Sequence, residues 1–500
     1  MDNLIFDFIF NSMILNEMSI RVRMFVRLMH LVIALLPLCV RGQGPRQPEN
    51  TGSSRQQLVP GAPSARRPNI IFLLTDDQRW DALGAMGNRL IRTPNLDRLA
   101  GRGILFRNAY VTTSICCCSR ASLLTGQYTS RHTINDFSTN MTPAAVAATY
   151  PILLKQQGYT IGFIDKYGVG DKPPASLYDY WTCTDKSQPD YLLPDGKGHT
   201  LHNTDSAANS IREFLDRFGS RGPFCLSVSF KAPHEQDAQG ATPSQLIVQD
   251  QYKDLYRDST IPEPLTADPK YWNRLPDFMR TDKNIGRVRW KTYFSTPALY
   301  QQTVKNYYRL ITGVDGVVGQ LEEELKKAGL ADNTIILFMG DNGMFLGEHG
   351  LQGKWFGYEE SIRVPLIVYD PRLPAALQGL RSDQVALNID IAPTILKMAG
   401  VTIPAGMQGI SLEDLVQHRV PDRPDFYYEH HFLHTPELPQ TEGVAGGRFK
   451  YLFYPEHDYE ELFDIRKDPH ETTNLAGDPA YKALLVKMRK RYEALKKQAM

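Results

Sequence analysis

The residues with the most distinctive chemistry are three consecutive cysteines, Cys116–Cys118, which are followed closely by Arg120. Neighbouring cysteines cannot bridge each other without severe strain, and they lack the separated pairs of a structural zinc site. The next residues predict a helix that is capped by Ser119 and ends at Gly126. A cysteine just before a helix N-terminus lies in positive potential, where an anion is also stabilised. The alternative is three small buried apolar residues at the start of a helix.

Four short apolar runs each end in polar residues that suit catalysis or ion binding. Such runs predict strands of a parallel sheet that is buried on both faces. Helical patterns lie between them, so we expect an α/β fold with a large, mainly parallel sheet flanked by helices. The strand ends then meet at one edge, where ligands bind in open α/β sheets. The runs are 69–75 before Asp76 and Asp77, 159–164 before Asp165 and Lys166, 224–230 before the stretch 231–234, and 334–339 before the stretch 340–343.

Oxygen-bearing side chains at this edge predict a site for a hard divalent cation. Two adjacent carboxylates at the end of a buried strand cost free energy unless a cation neutralises them. Ca²⁺ and Mg²⁺ prefer oxygen ligands, and no thiol–imidazole pattern for zinc accompanies these residues. A solvated turn is the alternative for the aspartate pair alone. The expected ligands are Asp76, Asp77, Asp341 and Asn342.

Basic side chains near the same edge are expected to hold the oxygens of an anionic substrate and to protonate a leaving alcohol. The whole chain of 500 residues has a formal net charge of only +1, so its attraction for anions must be local. No nucleic-acid partner is indicated by this charge. The candidate residues are Arg120, Lys166, His234 and Lys354.

The run from Cys116 to Gly126 resembles the maturation signature of the type I sulfatases, Cys-x-Pro/Ala-x-Arg followed by Leu-Thr-Gly. The chain departs from that signature at Cys118, where the family has Pro or Ala. The resemblance covers residues 68–476 and implies an alkaline-phosphatase-like catalytic domain and a small C-terminal α+β domain with an antiparallel sheet. Its other motifs are Thr75-Asp76-Asp77, Lys231-Ala232-Pro233-His234, the run from Asp341 to Lys354, Glu461-Leu462-Phe463-Asp464, and Asp468-Pro469.

The resemblance also implies a mechanism. A formylglycine-generating or maturase enzyme would oxidise Cys116 to formylglycine, whose hydrated gem-diol would attack the sulfur of a sulfate ester. The expected cation is Ca²⁺, with Mg²⁺ as the alternative, and the expected substrate is a sulfated carbohydrate. The implied cation ligands are Asp76, Asp77, Cys116, Asp341 and Asn342, and the implied catalytic and sulfate-binding residues are Arg120, Lys166, His234 and Lys354.

One departure concerns the base that expels sulfate. Many family members carry Lys-x-His, whereas Lys166 is followed here by Tyr167 and Gly168, so the histidine is absent. His132 and His349 are the candidates to replace it, and the base stays unassigned. Two other functions remain open, a phosphodiesterase or phosphonate hydrolase of the same superfamily and an inactive glycan-binding relative.

The N-terminal region predicts export. Arginines at 21, 23 and 27 precede an apolar run over 28–40 that is too short to span a bilayer comfortably, so we interpret residues 1–42 as a signal peptide. Residues 1–17 precede this pattern, so Met18 and Met24 are alternative starts of the signal peptide. We expect a secreted or periplasmic protein without stable membrane insertion after cleavage; an uncleaved membrane anchor is the alternative.

The remaining chain divides into a predicted disordered linker over 43–66, a catalytic domain over 67–405 and a C-terminal α+β subdomain over 406–500. Within the catalytic domain, Cys183 and Cys225 are either a disulfide pair or two buried thiols. The segment 236–298 breaks the strand–helix alternation, and we interpret it as an ordered cover beside the pocket. Its aromatic residues either stack on sugar rings or pack a small core of their own; they include Tyr252, Tyr256, Tyr271, Trp272 and Trp290.

Overall fold

The computed structural model of the chain describes residues 66–184, 188–196, 198–238, 245–432 and 438–500. The predicted signal peptide, residues 1–42, lies outside the described residues, as does the predicted linker up to residue 65. The described residues belong to one structural unit, 65–500. In this part of the chain, no helix combines the length and the apolar character needed to cross a bilayer.

The strands fall into one large sheet, one smaller sheet and two short hairpins. They are β1 Asn69–Asp76, β2 Ile104–Tyr110, β3 Thr160–Asp165, β4 Tyr180–Trp181, β5 Leu192–Pro194, β6 Thr200–His202, β7 Phe224–Pro233, β8 Thr334–Gly340, β9 Phe345–Leu346, β10 Gln352–Gly353, β11 Leu366–Tyr369, β12 Leu380–Leu387, β13 Phe426–His430, β14 Thr441–Ala445, β15 Phe449–Tyr454 and β16 Tyr459–Asp464.

The large sheet has eight strands in the order β12-β2-β11-β8-β1-β7-β3-β4. The four predicted strands are the adjacent strands β8, β1, β7 and β3, and they pair in parallel. Strand β11 runs antiparallel to both of its neighbours, so the sheet is mainly parallel, as predicted. The β1–β8 pairing runs from Asn69 opposite Thr334 to Thr75 opposite Gly340. This register brings Asp76 level with Asp341 at the carboxyl edge.

Helices cover both faces of the large sheet. The helices of the described residues are α1 Pro94–Arg102, α2 Cys116–Thr125, α3 Thr129–His132, α4 Pro143–Ala147, α5 Tyr150–Gln156, α6 Asn203–Phe218, α7 Pro269–Trp272, α8 Ile285–Tyr293, α9 Pro297–Lys327, α10 Glu359–Ile362, α11 Ile391–Met398, α12 Leu412–Val416 and α13 Lys482–Ala499.

Strand β1 shows why these apolar runs form buried strands. Its alternate residues Ile71 and Leu73 belong to a core layer that contains residues of α6 and α9. Ile70, Phe72 and Leu74 belong to the opposite layer, which contains residues of α2 and α11. Because both faces of the strand are covered, the sequence is apolar throughout rather than alternating.

The C-terminal residues form an antiparallel sheet in the order β13-β14-β15-β16. One face packs on α13, with Tyr427 and Tyr451 in the same apolar cluster as Tyr492, while Tyr428 and Leu452 belong to the main core. Strands near 426–431, 449–454 and 461–464 are predicted by the sequence, but β14 is not, because Thr441–Ala445 contains a glycine and two polar residues and lacks the aromatic residues that mark the other strands.

The buried side chain of Lys450 links this smaller sheet to the catalytic region. Its Nζ lies 2.9 Å from Glu359 Oε1 and 2.7 Å from Glu471 Oε1, and it donates to the Gly357 carbonyl at 2.9 Å. All of the Lys450 side chain is shielded from solvent. Two buried carboxylates therefore share this ammonium group, and Glu359 has a second cation in Arg363, whose Nη1 lies 3.5 Å from its Oε2.

We expect Lys450→Met to lower the free energy of unfolding by about 3–5 kcal/mol, because the substitution removes the ammonium partner of buried Glu471 and leaves Glu359 with Arg363 alone. Denaturant unfolding followed by circular dichroism measures the change. The matched control is Lys487→Met on the exposed face of α13, for which a change within ~0.5 kcal/mol is expected. Equal stabilities of the two variants would contradict this account of Lys450.

Candidate active site

Helix α2 places one cysteine of the triplet in the site and two in the core. Cys116 is the first residue of the helix, and extended Ile115 precedes it as the N-cap. The prediction that Ser119 caps the helix is wrong, because its N–H donates to the Ile115 carbonyl at 2.9 Å and it lies within the first turn. Cys117 and Cys118 pack in the main core. The apolar interpretation therefore holds for these two cysteines, whereas Cys116 faces the carboxylates.

The predicted carboxylates meet at the ends of β1 and β8. Cys116 Sγ lies 3.2 Å from Asp76 Oδ1, and the Asp77 N–H donates to Asp341 Oδ1 at 3.0 Å. Asn342 Nδ2 donates to Asp77 Oδ1 at 2.5 Å. All of these side chains are buried. The edge of the sheet thus brings together the oxygen-bearing residues that the sequence predicts.

Three buried cations compensate the three carboxylates. Arg120 Nε donates to Asp341 Oδ2 at 2.9 Å, and its Nη1 donates to the Lys166 carbonyl at 2.8 Å. Lys166 Nζ donates to Asp76 Oδ2. Lys354 Nζ lies 2.5 Å from Asp77 Oδ1 and 3.1 Å from Cys116 Sγ. Their formal charges balance those of the carboxylates.

His234 reaches the same cluster from the cis peptide turn that ends β7. Its Nε2 lies 3.5 Å from Asp77 Oδ2. Its Nδ1 lies 2.7 Å from the carbonyl oxygen of Glu235. Gln188 Nε2 lies 2.6 Å from the same Nδ1. A carbonyl oxygen only accepts and an amide nitrogen only donates, so these two contacts favour opposite tautomers of the ring. Nε2 is the ring nitrogen that faces the carboxylates.

The surroundings of Cys116 disfavour a thiolate. Burial raises the pKa of the Cys116 thiol well above its ordinary value, and the carboxylate of Asp76 adds to this effect. Burial also acts to raise the pKa of Asp76, but the charges of Lys166 and His234 outweigh it and hold that pKa well below its usual range. The unmodified thiol therefore stays protonated, and a protonated thiol is a weak nucleophile.

The donor set at this edge fits a divalent cation. Ligand atoms of Asp76, Asp77, Cys116 and His234 lie within 4.8 Å of one another. Asn342 Oδ1 is buried and has no hydrogen-bond partner among the described residues. Both oxygens of Asp341 contact protein groups, one Arg120 and the other the Asp77 N–H.

A cavity of about 370 Å³ opens from Cys116 toward the surface. Lys166, His234 and Lys354 line its inner end together with Cys116. Its other lining residues are Ile115, Phe137, Gln188, Asp237, Ile285, Arg289, Trp355 and Phe432.

Neither of the two candidate replacement histidines lines this cavity in the described part of the chain. His132 Nε2 lies 3.0 Å from Ser122 Oγ, and its Nδ1 accepts from the Ile134 N–H at 3.0 Å. The ring centroid of His349 lies 5.1 Å from that of Tyr358. Both rings have structural partners, so the structure supports neither as the missing base.

The space around position 168 explains why a glycine stands there. Gly168 has φ +70°, and a Cβ there would lie 2.8 Å from Arg120 Cδ and 3.3 Å from Lys166 Cε. A histidine at this position would displace the arginine of the site. The departure at 168 is therefore coupled to the position of Arg120.

The segment 236–298 contributes to the cavity through Asp237 and α8 rather than through the aromatic residues expected there. Ile285 and Arg289 line the cavity, whereas none of those five aromatic residues does so within the described residues. Trp272 and Trp290 enclose Arg287, whose Cζ lies 4.5 Å and 4.0 Å from the two ring centroids. Tyr256 and Trp290 belong to an apolar cluster that contains residues of α9, so they pack against the main fold rather than in a core of the segment's own.

Two supporting residues are missed by sequence reasoning. Tyr307 on α9 donates to the Asp77 carbonyl at 2.6 Å and accepts from the Arg79 N–H, which fixes the turn after β1. Ser229 Oγ accepts from Arg120 Nη1. A serine within the apolar run 224–230 is the only local signal for the latter.

Cys183 and Cys225 are free thiols, which decides the open alternative between pairing and burial.

Comparisons with known proteins agree with this geometry. Residues 68–401 match the family model described as "Sulfatase", and residues 347–498 match the model described as "N-sulphoglucosamine sulphohydrolase, C-terminal". The N-acetylglucosamine-6-O-sulfatase of Bacteroides thetaiotaomicron is 30% identical over 491 residues, with 84% of this chain and 85% of that protein covered. The chain belongs to the sulfatase family of the alkaline-phosphatase-like superfamily and is a sulfuric ester hydrolase.

Solved structures share the fold. One, in complex with its substrate D-glucosamine-2-N,6-O-disulfate, has a TM-score of 0.74 and 28% identity and covers 87% of this chain and 98% of its own. The phosphonate monoester hydrolase of Agrobacterium radiobacter has a TM-score of 0.71 at 22% identity, with 87% and 96% covered. The second likeness concerns the fold alone.

We expect Gly168→Ala to lower turnover of 4-nitrophenyl sulfate at least tenfold, because the new methyl group displaces Arg120. The matched control is Gly196→Ala, where φ is +74° and nothing lies within 4 Å of the new Cβ. Both variants bear a left-handed backbone cost of about 1–2 kcal/mol, so a larger loss of unfolding free energy in Gly168→Ala than in Gly196→Ala measures the added cost of displacing Arg120. Unchanged turnover in Gly168→Ala would contradict the predicted collision.

Proposed function

We propose that the chain hydrolyses sulfate esters of a sulfated carbohydrate outside the cytoplasm, with residue 116 as the nucleophile after its conversion from cysteine to formylglycine. The position of Cys116 carries this proposal, since its Sγ lies between Asp76 Oδ1 and Lys354 Nζ at the start of α2. Conversion replaces a protonated thiol with a hydrated aldehyde, which supplies a hydroxyl nucleophile. A sulfated sugar is the proposed substrate because relatives such as the N-acetylglucosamine-6-O-sulfatase of Bacteroides thetaiotaomicron act on one.

The carboxyl edge would hold a divalent cation, which we propose to be Ca²⁺, with Mg²⁺ as the alternative. Asp76 and Asp77 would be its main ligands, with Asn342, Asp341 and the oxygen at position 116 completing the set. When bound, the cation supplies positive charge to the substrate oxyanion and to the nucleophilic hydroxyl.

The basic residues then have distinct tasks. Lys166 and Lys354, at the inner end of the cavity, bind sulfate oxygens. The guanidinium group of Arg120 donates hydrogen bonds to Asp341, Ser229 and the Lys166 carbonyl. Arg120 therefore adds positive charge next to the sulfate site and positions Lys166. These fixed charges stabilise the negative charge that develops as the ester bond breaks.

His234 is the proposed proton carrier. Its Nε2 is the ring nitrogen on the side of the carboxylates, 3.5 Å from Asp77 Oδ2, so we assign to it the exchange of a proton with the leaving alcohol. Lys354 is the alternative donor, because its ammonium group also reaches position 116. The step that expels sulfate also needs a base. Position 168 is a glycine and cannot supply it, so we assign this role to no particular residue of the site.

A second candidate function is phosphonate or phosphodiester hydrolysis. The observation that favours it is the glycine at 168, together with the likeness of the fold to a phosphonate monoester hydrolase. An inactive glycan-binding protein is the third possibility, in which Cys118 prevents maturation. Two measurements separate these functions.

Mass spectrometry of the tryptic peptide that ends at Arg120 tests the nucleophile. In protein made with its native maturation system, we expect a mass decrease that matches replacement of the Cys116 thiol by an aldehyde. The decrease should be lost in Cys116→Ala and kept in Cys117→Ala, whose side chain lies in the core. An unmodified thiol at 116 would reject the formylglycine mechanism.

Turnover of 4-nitrophenyl sulfate and of the 4-nitrophenyl ester of phenylphosphonate tests the reaction. We expect kcat/KM to favour the sulfate at least tenfold, to fall after chelation of divalent cations and to return with Ca²⁺. A preference for the phosphonate ester would support the second function. No turnover by fully matured protein would support the glycan-binding possibility.

A further inference from the structure

The outer half of the cavity has no task in the chemistry at residue 116. The whole cavity has a volume of about 370 Å³, which corresponds to roughly 12 water molecules at ~30 Å³ each. This is room for one sugar ring in addition to the sulfate group. The inner end takes the sulfate, so the outer lining meets the alcohol part of the ester.

Two aromatic rings form one side of this outer half. The Phe137 ring is 43% exposed, and its centroid lies 5.2 Å from that of Phe432 in an edge-to-face arrangement. Asp136 fixes the turn that presents Phe137, because it accepts from the Ser138 and Thr139 N–H groups at 2.7 and 2.6 Å. A pre-positioned apolar ring at the mouth of a polar cavity is a feature of ligand sites.

The wall formed by Trp355 is held by several contacts. The Trp355 ring packs against Gly353, where an added Cβ would lie 2.5 Å from a ring carbon. Arg289 lies over the same ring, with its Cζ 5.4 Å from the centroid. The Trp355 backbone donates to the Ser114 carbonyl at 3.2 Å. This wall therefore keeps its shape without a ligand.

The polar groups of the outer half leave no positive charge unpaired. Arg289 forms an ion pair with Glu235, whose other oxygen accepts from Gln352 at 3.2 Å. Asp237 is the carboxylate of the described residues that lines the cavity. Because Arg289 is paired with Glu235 and Asp237 adds a negative charge, the outer lining carries no uncompensated positive charge.

We propose that Phe137, Phe432, Asp237 and Arg289 form the subsite for an uncharged sugar ring that carries the sulfate ester. The aromatic rings cover one face of the sugar, Asp237 accepts hydrogen bonds from ring hydroxyls, and Arg289 donates to ring oxygens. A second sulfate or carboxylate on the ring finds no net positive charge to compensate it. These residues determine specificity, and the inference rests on the proposed sulfatase function.

The test compares Asp237→Ala with wild-type enzyme on N-acetylglucosamine 6-sulfate, on a panel of other monosulfated hexoses and on 4-nitrophenyl sulfate. We expect kcat/KM for the best sugar sulfate to fall at least tenfold, mainly through KM, with a change within about twofold on the aryl sulfate, which lacks hydroxyls. Asp216→Ala on the exposed face of α6 is the control.

A second variant tests the aromatic side. Phe137→Ala should raise KM for the same sugar sulfate at least fivefold, whereas Leu177→Ala, at a residue with the same 43% exposure outside the cavity, should not change it. An unchanged KM in Phe137→Ala would remove the aromatic cover from the proposed subsite.

Three results would overturn the proposal. Equal losses of Asp237→Ala on sugar and aryl sulfates would mean that Asp237 only supports the fold. Faster wild-type turnover of glucosamine 2-N,6-O-disulfate than of the monosulfated sugar would contradict the uncharged ring. Turnover of 4-nitrophenyl sulfate without any turnover of the hexose panel would reject the subsite and leave the sulfatase function intact, whereas no turnover of either would reject both.

Discussion

Three carboxylates lie buried at the carboxyl edge of the large sheet, and the positive charge that compensates them links most of the site. Asp76 and Asp341 are brought level by the parallel register of β1 and β8. Their partners come from elsewhere in the chain, Arg120 from α2, Lys166 from the end of β3 and Lys354 from the segment after β10. A buried carboxylate that loses its cation is strongly destabilised, so these elements hold one another in place.

Helix α2 serves the core and the site at once. Cys116 and Arg120 are four residues apart, so both project from the same face of the helix toward the carboxylates. Cys117 and Cys118 point into the apolar layer beneath the sheet. The departure from the family signature at Cys118 therefore falls on a packing position, where a small buried side chain is accommodated. The collision that a side chain at 168 would make with Arg120 shows how tightly this helix constrains its surroundings.

The cavity has two ends of different character. The inner end gathers fixed positive charge around residue 116, which suits an anionic group whose charge grows during the reaction. The outer end is aromatic and carries no uncompensated positive charge, so it suits a ring recognised through its faces and hydroxyls. Recognition of the sulfate and recognition of the alcohol are thus separated along one short path. This separation allows a common sulfate site to coexist with an individual leaving-group site.

The sequence by itself determined the four central strands, the α/β class and the residues at their ends. Continuous apolar runs followed by Asp76, Lys166, His234 or Asp341 are local patterns, and parallel pairing brings their ends together without further information. Strands β2, β11 and β12 were not predicted, because short or partly exposed segments carry no distinct period. In the smaller sheet, β14 was missed because it lacks the aromatic residues that mark the other strands.

Only the tertiary structure decided how these residues are used. It directed the Asp341 carboxylate to Arg120, gave His132 and His349 structural partners, and kept the aromatic residues of 236–298 away from the cavity. It also gathered Phe137 and Phe432 at one rim from distant parts of the chain. No local pattern encodes such contacts, since they depend on how separate layers pack rather than on the spacing of residues within one element.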